Sequence, residues 1–71
     1  MNAKEWITQF AQKLGTEAPT PPEFAALLDL AGEAAHSSER VAAPVACWVA
    51  ARAGASPERA LEVAREVCAD G

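Results

Sequence analysis

Apolar positions recur along the chain at helical intervals, in four runs separated by short polar or proline-containing stretches. The first run is Ala3, Trp6, Ile7, Phe10 and Leu14. Asn2 and Glu5 stand where an N-cap and its capping-box partner belong, and Gly15 suits the C′ position. A helix is therefore expected over 3–14. The second run opens at "TPPE". Thr20 caps, Pro21 and Pro22 occupy a first turn that needs no N–H, and Glu23 completes a capping box. Phe24, Leu27, Leu28, Ala31 and Ala35 share one side of this helix, expected over 21–36.

The third run, "VAAPVACWVAARAG", predicts a helix over 41–53 with Pro44 in or just before its first turn. Val45, Trp48 and Val49 make its heavy side, and Ala46, Ala50 and Ala53 its light side. No charge occurs from Val41 to Ala51. A helix apolar all round is either central in a bundle or half of an interface. Gly54 closes it. Ser56 and Pro57 then open a fourth helix over 57–69. Ala60, Leu61, Ala64, Val67 and Cys68 are expected to face inward. Glu58, Arg59, Glu62, Arg65 and Glu66 form a solvated face with mixed pairs.

No strand alternation, internal repeat or glycine-rich phosphate loop interrupts this pattern. Short connections bring neighbouring helices together as antiparallel or steeply crossed pairs. The expected architecture is all-α, a compact four-helix bundle with the third helix central, in a single domain of 71 residues.

Composition weakens the core this pattern promises. Hydrophobic residues are 51% of the chain, but half of those are alanine. Alanine favours helix and brings little area to bury. A core this thin makes dimerisation or docking on a larger protein plausible. The net charge of -4 disfavours nucleic acid, which needs a basic face against its phosphates. It equally disfavours an anionic membrane surface. "MNAKEWITQF" has no long apolar run, so a signal peptide is not expected and the reading is cytoplasmic. Cys47 and Cys68 fall in different helices, and free buried thiols are the default reading for them, with no CxxC or clustered His to support a disulfide or a metal site.

Candidate chemistry concentrates in "AHSSERVAAP", residues 35–44. It holds His36, the only histidine, with Ser37, Ser38 and Arg40 just before the third helix. A helix start offers unpaired N–H groups and a positive dipole end, so this corner can hold a phosphate or carboxylate. The plainer reading is a joint. The serines cap a helix, Glu39 and Arg40 are solvated, and Pro44 removes one N–H.

Other constellations are weaker. "EAAH" puts Glu33 and His36 at Glu-x-x-His spacing on one helix face, a motif di-iron bundles use twice with two further glutamates. Here it occurs once. Cys47 with His36 is the only conceivable nucleophile–base pair, and Cys47 sits among valine and tryptophan, which favours an inert thiol. No metal or cofactor is expected, and no enzyme. Trp6 and Trp48 are read as core residues first and partner anchors second, with Trp48 the better anchor. Glu23, Asp29 and Glu33 are read as solvent face.

The segments "EWITQFAQKLG", "PPEFAALLDLAGEAAH", "SERVAAPVACWVAARAG" and "SPERALEVAREV" together resemble a family of small bacterial helical domains. These occur alone or at the C-terminal end of molybdenum-cofactor guanylyltransferase-like proteins. His36, Arg40, Ala43 and Pro44 carry the most distinctive part. The resemblance implies a companion module in molybdopterin guanine dinucleotide synthesis. This chain has no glycine-rich nucleotide loop, so guanylyl transfer itself is not implied for it.

These readings converge on a non-enzymatic accessory domain. Its partner would be a molybdenum-cofactor guanylyltransferase, met through His36, Ser37, Arg40 and Trp48. One alternative is a small phosphate- or nucleotide-binding module at the His36–Arg40 corner. Another is a homodimer whose third helices pack together.

Overall fold

The computed structural model describes residues 1–70. It contains four helices, α1 (Ala3–Leu14), α2 (Pro21–Ser37), α3 (Ala42–Arg52) and α4 (Pro57–Asp70), and no strand among the described residues. The all-α, four-helix expectation holds.

The helix ends fall at the residues whose chemistry requires them. Asn2 Oδ1 accepts from the Glu5 N–H at 2.8 Å, and Glu5 Oε1 accepts in turn from Asn2 Nδ2 at 3.1 Å. Thr20 and Glu23 form a full capping box, with Thr20 N–H donating to Glu23 Oε1 at 2.8 Å. Ser56 Oγ accepts from the Arg59 N–H at 3.1 Å. Gly15 and Gly54 take φ of 78° and 74°. Each turns the chain so that the next N–H, on Thr16 or Ala55, reaches back to the carbonyl of Ala11 or Ala50. That closure needs the left-handed region, where glycine carries no Cβ penalty.

The central helix is α2, not α3. It packs against both α3 and α4, while α3 and α4 barely meet. Leu30 of α2 is the one large side chain that is buried, at 3% exposure, and the rest of the core is Ala11, Ala26 and Ala60. No residue of α3 is buried. The reason is length and number. A central helix needs neighbours on two flanks, and α2, the longest helix at 17 residues, presents two. The 11 residues of α3 find one firm neighbour. The inward side of α2 is accordingly shifted from the expected stripe. Ala26 and Leu30 are buried, and Leu28 is exposed.

No Cα of α1 lies within 8 Å of a Cα in the other three helices, among the described residues. The helix is held instead by the 15–20 connection and the first turns of α2. Ile7 and Thr8 face Pro19, Pro21 and Phe24 across a small recess, and Lys4 Nζ sits 5.8 Å from the Phe24 ring centroid. The long axis of the molecule is 38 Å against 23 and 18 Å across. Its accessible surface is 5370 Å². A typical monomer of 7.4 kDa exposes about 4,200 Å². Among the described residues, no helix is long and apolar enough to cross a membrane.

Candidate functional site

Most of the large apolar side chains left exposed gather in three places. On α3, residues 41, 45 and 48 follow one another at i, i+4 and i+7, so Val41, Val45 and Trp48 form one ridge. All three are exposed, at 69%, 60% and 60%. Arg52 continues the ridge, and its guanidinium carbon lies 5.0 Å from the centroid of the Trp48 ring. This cation–π contact holds the indole against its own helix while leaving it open to solvent.

A second stripe on α3, Ala42, Ala46, Val49 and Ala53, is turned about 100° from the first. It forms one wall of a groove whose other wall is Ala60, Val63, Ala64 and Val67 of α4, with Leu30 of α2 at the floor. The groove holds about 530 Å³, and almost all of its surface is apolar. It exists because α3 and α4 splay apart on either side of α2, and their alanines are too short to close the gap.

The third place is α1. Trp6 and Phe10 stack with centroids 5.0 Å apart and an interplanar angle of 21°. With Leu14 they form a ridge at i, i+4 and i+8 that faces solvent. Both tryptophans, read from sequence as core residues first, thus stand outside. Each lies on the side of its helix turned away from α2, the one helix with two packed flanks.

At the His36–Arg40 corner both serines turn back into α2. The Ser37 hydroxyl donates to the Glu33 carbonyl at 2.7 Å, and the Ser38 hydroxyl donates to the Ala34 carbonyl at 2.6 Å. Both close the C-terminal end of α2 rather than capping the start of α3. That start has no side-chain cap. The Ala42 and Ala43 N–H groups donate to the carbonyls of Glu39 and Arg40 at 2.9 and 3.1 Å, and Pro44 has none to offer. The donors that a helix start presents to an anion are therefore engaged. His36 lines a shallow recess with Asp29, Glu33 and Arg65. Arg40 lines neither that recess nor the open one of about 510 Å³ between Ser38 and Val45, and no ion pair engages it among the described residues. His36 and Arg40 are not joined by any hydrogen bond.

Glu33 is not on a free solvent face. Its Oε1 lies 3.7 Å from Arg65 Nε, and its Oε2 accepts from Cys68 Sγ at 3.4 Å. This links α2 to α4, while Arg65 stays exposed on the outer face. Glu33 thereby faces a thiol and a guanidinium, and no cluster of three or more His, Cys, Asp or Glu suited to a metal occurs among the described residues. Both cysteines are free. Burial pushes the Cys47 thiol above its ordinary range, the opposite of what activates a nucleophile.

Sequence reasoning named Trp48 as a partner anchor only after a place in the core, and it did not single out the groove or the α1 ridge as surfaces. The signal was present as paired stripes of valine and alanine, but periodicity alone does not say which stripe a neighbour covers.

The chain belongs to the family described as Domain of unknown function (DUF6457), which matches residues 1–71. No curated protein and no solved structure matches it.

Proposed function

We propose that this DUF6457 domain is a non-enzymatic docking module, and that the Val41–Val45–Trp48 ridge of α3 is the face it offers to a larger protein. The observation that carries the reading is Trp48. Tryptophan and arginine dominate binding hot spots, and here an exposed indole is held by Arg52 on a charge-free stretch of helix. Burying such a ridge against a partner returns apolar area that the fold itself leaves in water. Arg40 at the start of the same helix is placed to meet a partner carboxylate as a charge-assisted pair. The raised pKa of Cys47 supports a role without covalent chemistry.

The proposed partner is a cytoplasmic guanylyltransferase of molybdenum-cofactor synthesis. Support for that choice comes from the sequence resemblance of the four helical segments, with His36, Arg40, Ala43 and Pro44 at its centre.

Calorimetry of the domain with that enzyme tests the reading. Saturable binding is expected, weakened about tenfold or more by Trp48→Ala, as for a hot-spot residue. Arg40→Ala should weaken it less. Helicity should be unchanged in both, since both side chains are exposed. No binding, or binding indifferent to Trp48→Ala, overturns the proposal. Amide shifts centred on residues 36–45 with Mg-GTP or pyrophosphate would replace it with a ligand-binding corner.

A further inference from the structure

Of the three apolar surfaces, one is a convex ridge and one a concave groove. The ridge is Trp6, Phe10 and Leu14 on α1, on the side of that helix away from the Ile7 and Thr8 side that meets the start of α2. Anchors at i, i+4 and i+8 along one helix are how an amphipathic helix enters a hydrophobic groove. The other is concave, the groove between α3 and α4. Its volume of about 530 Å³ lies within the range of sites that enclose bulky apolar groups. Its alanines permit close approach of a helix, while Val49, Val63 and Val67 make the raised edges.

Area and charge point to a second copy as the occupant. The chain exposes 5370 Å², roughly 1,200 Å² more than a monomer of its mass. A standard interface removes about 800 Å² from each partner, so one reciprocal interface brings the protomer back toward ordinary exposure. On the polar sides, α1 carries Lys4 and Lys13 against Glu5, whereas α4 carries Glu58, Glu62, Glu66 and Asp70 against Arg59 and Arg65. Counted over each helix, α1 is thus net basic and α4 net acidic, which favours α1 against α4 over α4 against α4.

We propose that two copies pair reciprocally, the Trp6–Phe10–Leu14 ridge of each seated in the α3–α4 groove of the other. The contact is isologous and closes at two. It differs from a dimer made by packing third helices together, because Trp48 lies outside the groove. Val45 lines the groove as well as the docking ridge, so the two surfaces adjoin, while Trp48 stays outside the groove and remains open to solvent in the pair.

Sedimentation velocity from micromolar to millimolar protein tests it, with Phe10→Glu and Val49→Glu as variants. Both positions are about half exposed, at 48% and 53%, so folding survives, and circular dichroism checks this. Wild type should dimerise, and each variant should weaken the dimer about tenfold or more, as charge placed at the centre of an apolar interface does. The decisive arm is the mixture. The Val49→Glu copy keeps an intact α1 ridge and the Phe10→Glu copy keeps an intact groove. Together they should form a heterodimer tighter than either homodimer. Trp48→Ala should dimerise like wild type. A wild type that stays monomeric at millimolar concentration overturns the proposal, even if Trp48 is still needed by another partner. So does a variant that dimerises like wild type, a mixture no tighter than its components, or loss of the dimer on Trp48→Ala.

Discussion

The Cys68 thiol of α4 donates to the Glu33 carboxylate of α2 at 3.4 Å, with Arg65 Nε 3.7 Å from the other carboxylate oxygen. This cluster is the polar link between two helices that otherwise meet through small apolar side chains.

The link is partly exposed, with Arg65 60% and Glu33 36% accessible, so its worth is modest. A double-mutant cycle on Glu33→Gln and Arg65→Gln should give a coupling of about 0.2–1 kcal/mol. Urea unfolding in low and high salt checks this, and the coupling should shrink as salt screens it.

Leu30 is the one large side chain in the core. Leu30→Ala should cost about 2–5 kcal/mol. A domain of this length holds on the order of 4–11 kcal/mol in all, so the loss is a large share of it. The melting temperature followed by circular dichroism should fall by about 10 °C or more.

Glycine positions should respond with opposite signs. Gly32 lies inside α2, and a Cβ there meets nothing within 4 Å. Gly32→Ala should stabilise by about 0.5–1 kcal/mol through helix propensity. Gly54 also has open space, but its φ is +74°. Gly54→Ala should destabilise by about 1 kcal/mol, the cost of the left-handed conformation for a residue with a Cβ. Chemical denaturation of the two variants side by side measures the contrast.

Burial raises the pKa of the Cys47 thiol. Alkylation at Cys47, resolved by peptide mass spectrometry, should be slower in the folded domain than in urea, and its rate should rise only at more alkaline pH. The sign for stability follows from the proton count. Above the unfolded thiol pKa the unfolded chain has released its proton and the folded chain has kept it, so stability falls as pH rises through that window. Cys47→Ala should remove this contribution to the alkaline loss.

Helix number, type and limits were legible in the chain because they depend on local chemistry. Asn2, Thr20 and Ser56 satisfy N–H groups three residues away, and Gly15 and Gly54 end helices through their own backbone freedom. None of this needs a distant neighbour. The serine hydroxyls at 37 and 38 were visible as capping groups, but which helix they close was not. Each can turn back to a carbonyl or forward to an N–H, and the path of the chain into α3 decides between them. Which helix lies in the middle was likewise a tertiary outcome. Hydrophobicity marked α3, yet centrality depends on how many flanks find neighbours, and α2 has two. For the same reason Trp6 and Trp48 read as core and stand exposed. Periodicity identifies an apolar side of a helix, but only packing decides whether another helix covers it, and 71 residues with alanine-rich faces do not cover them all.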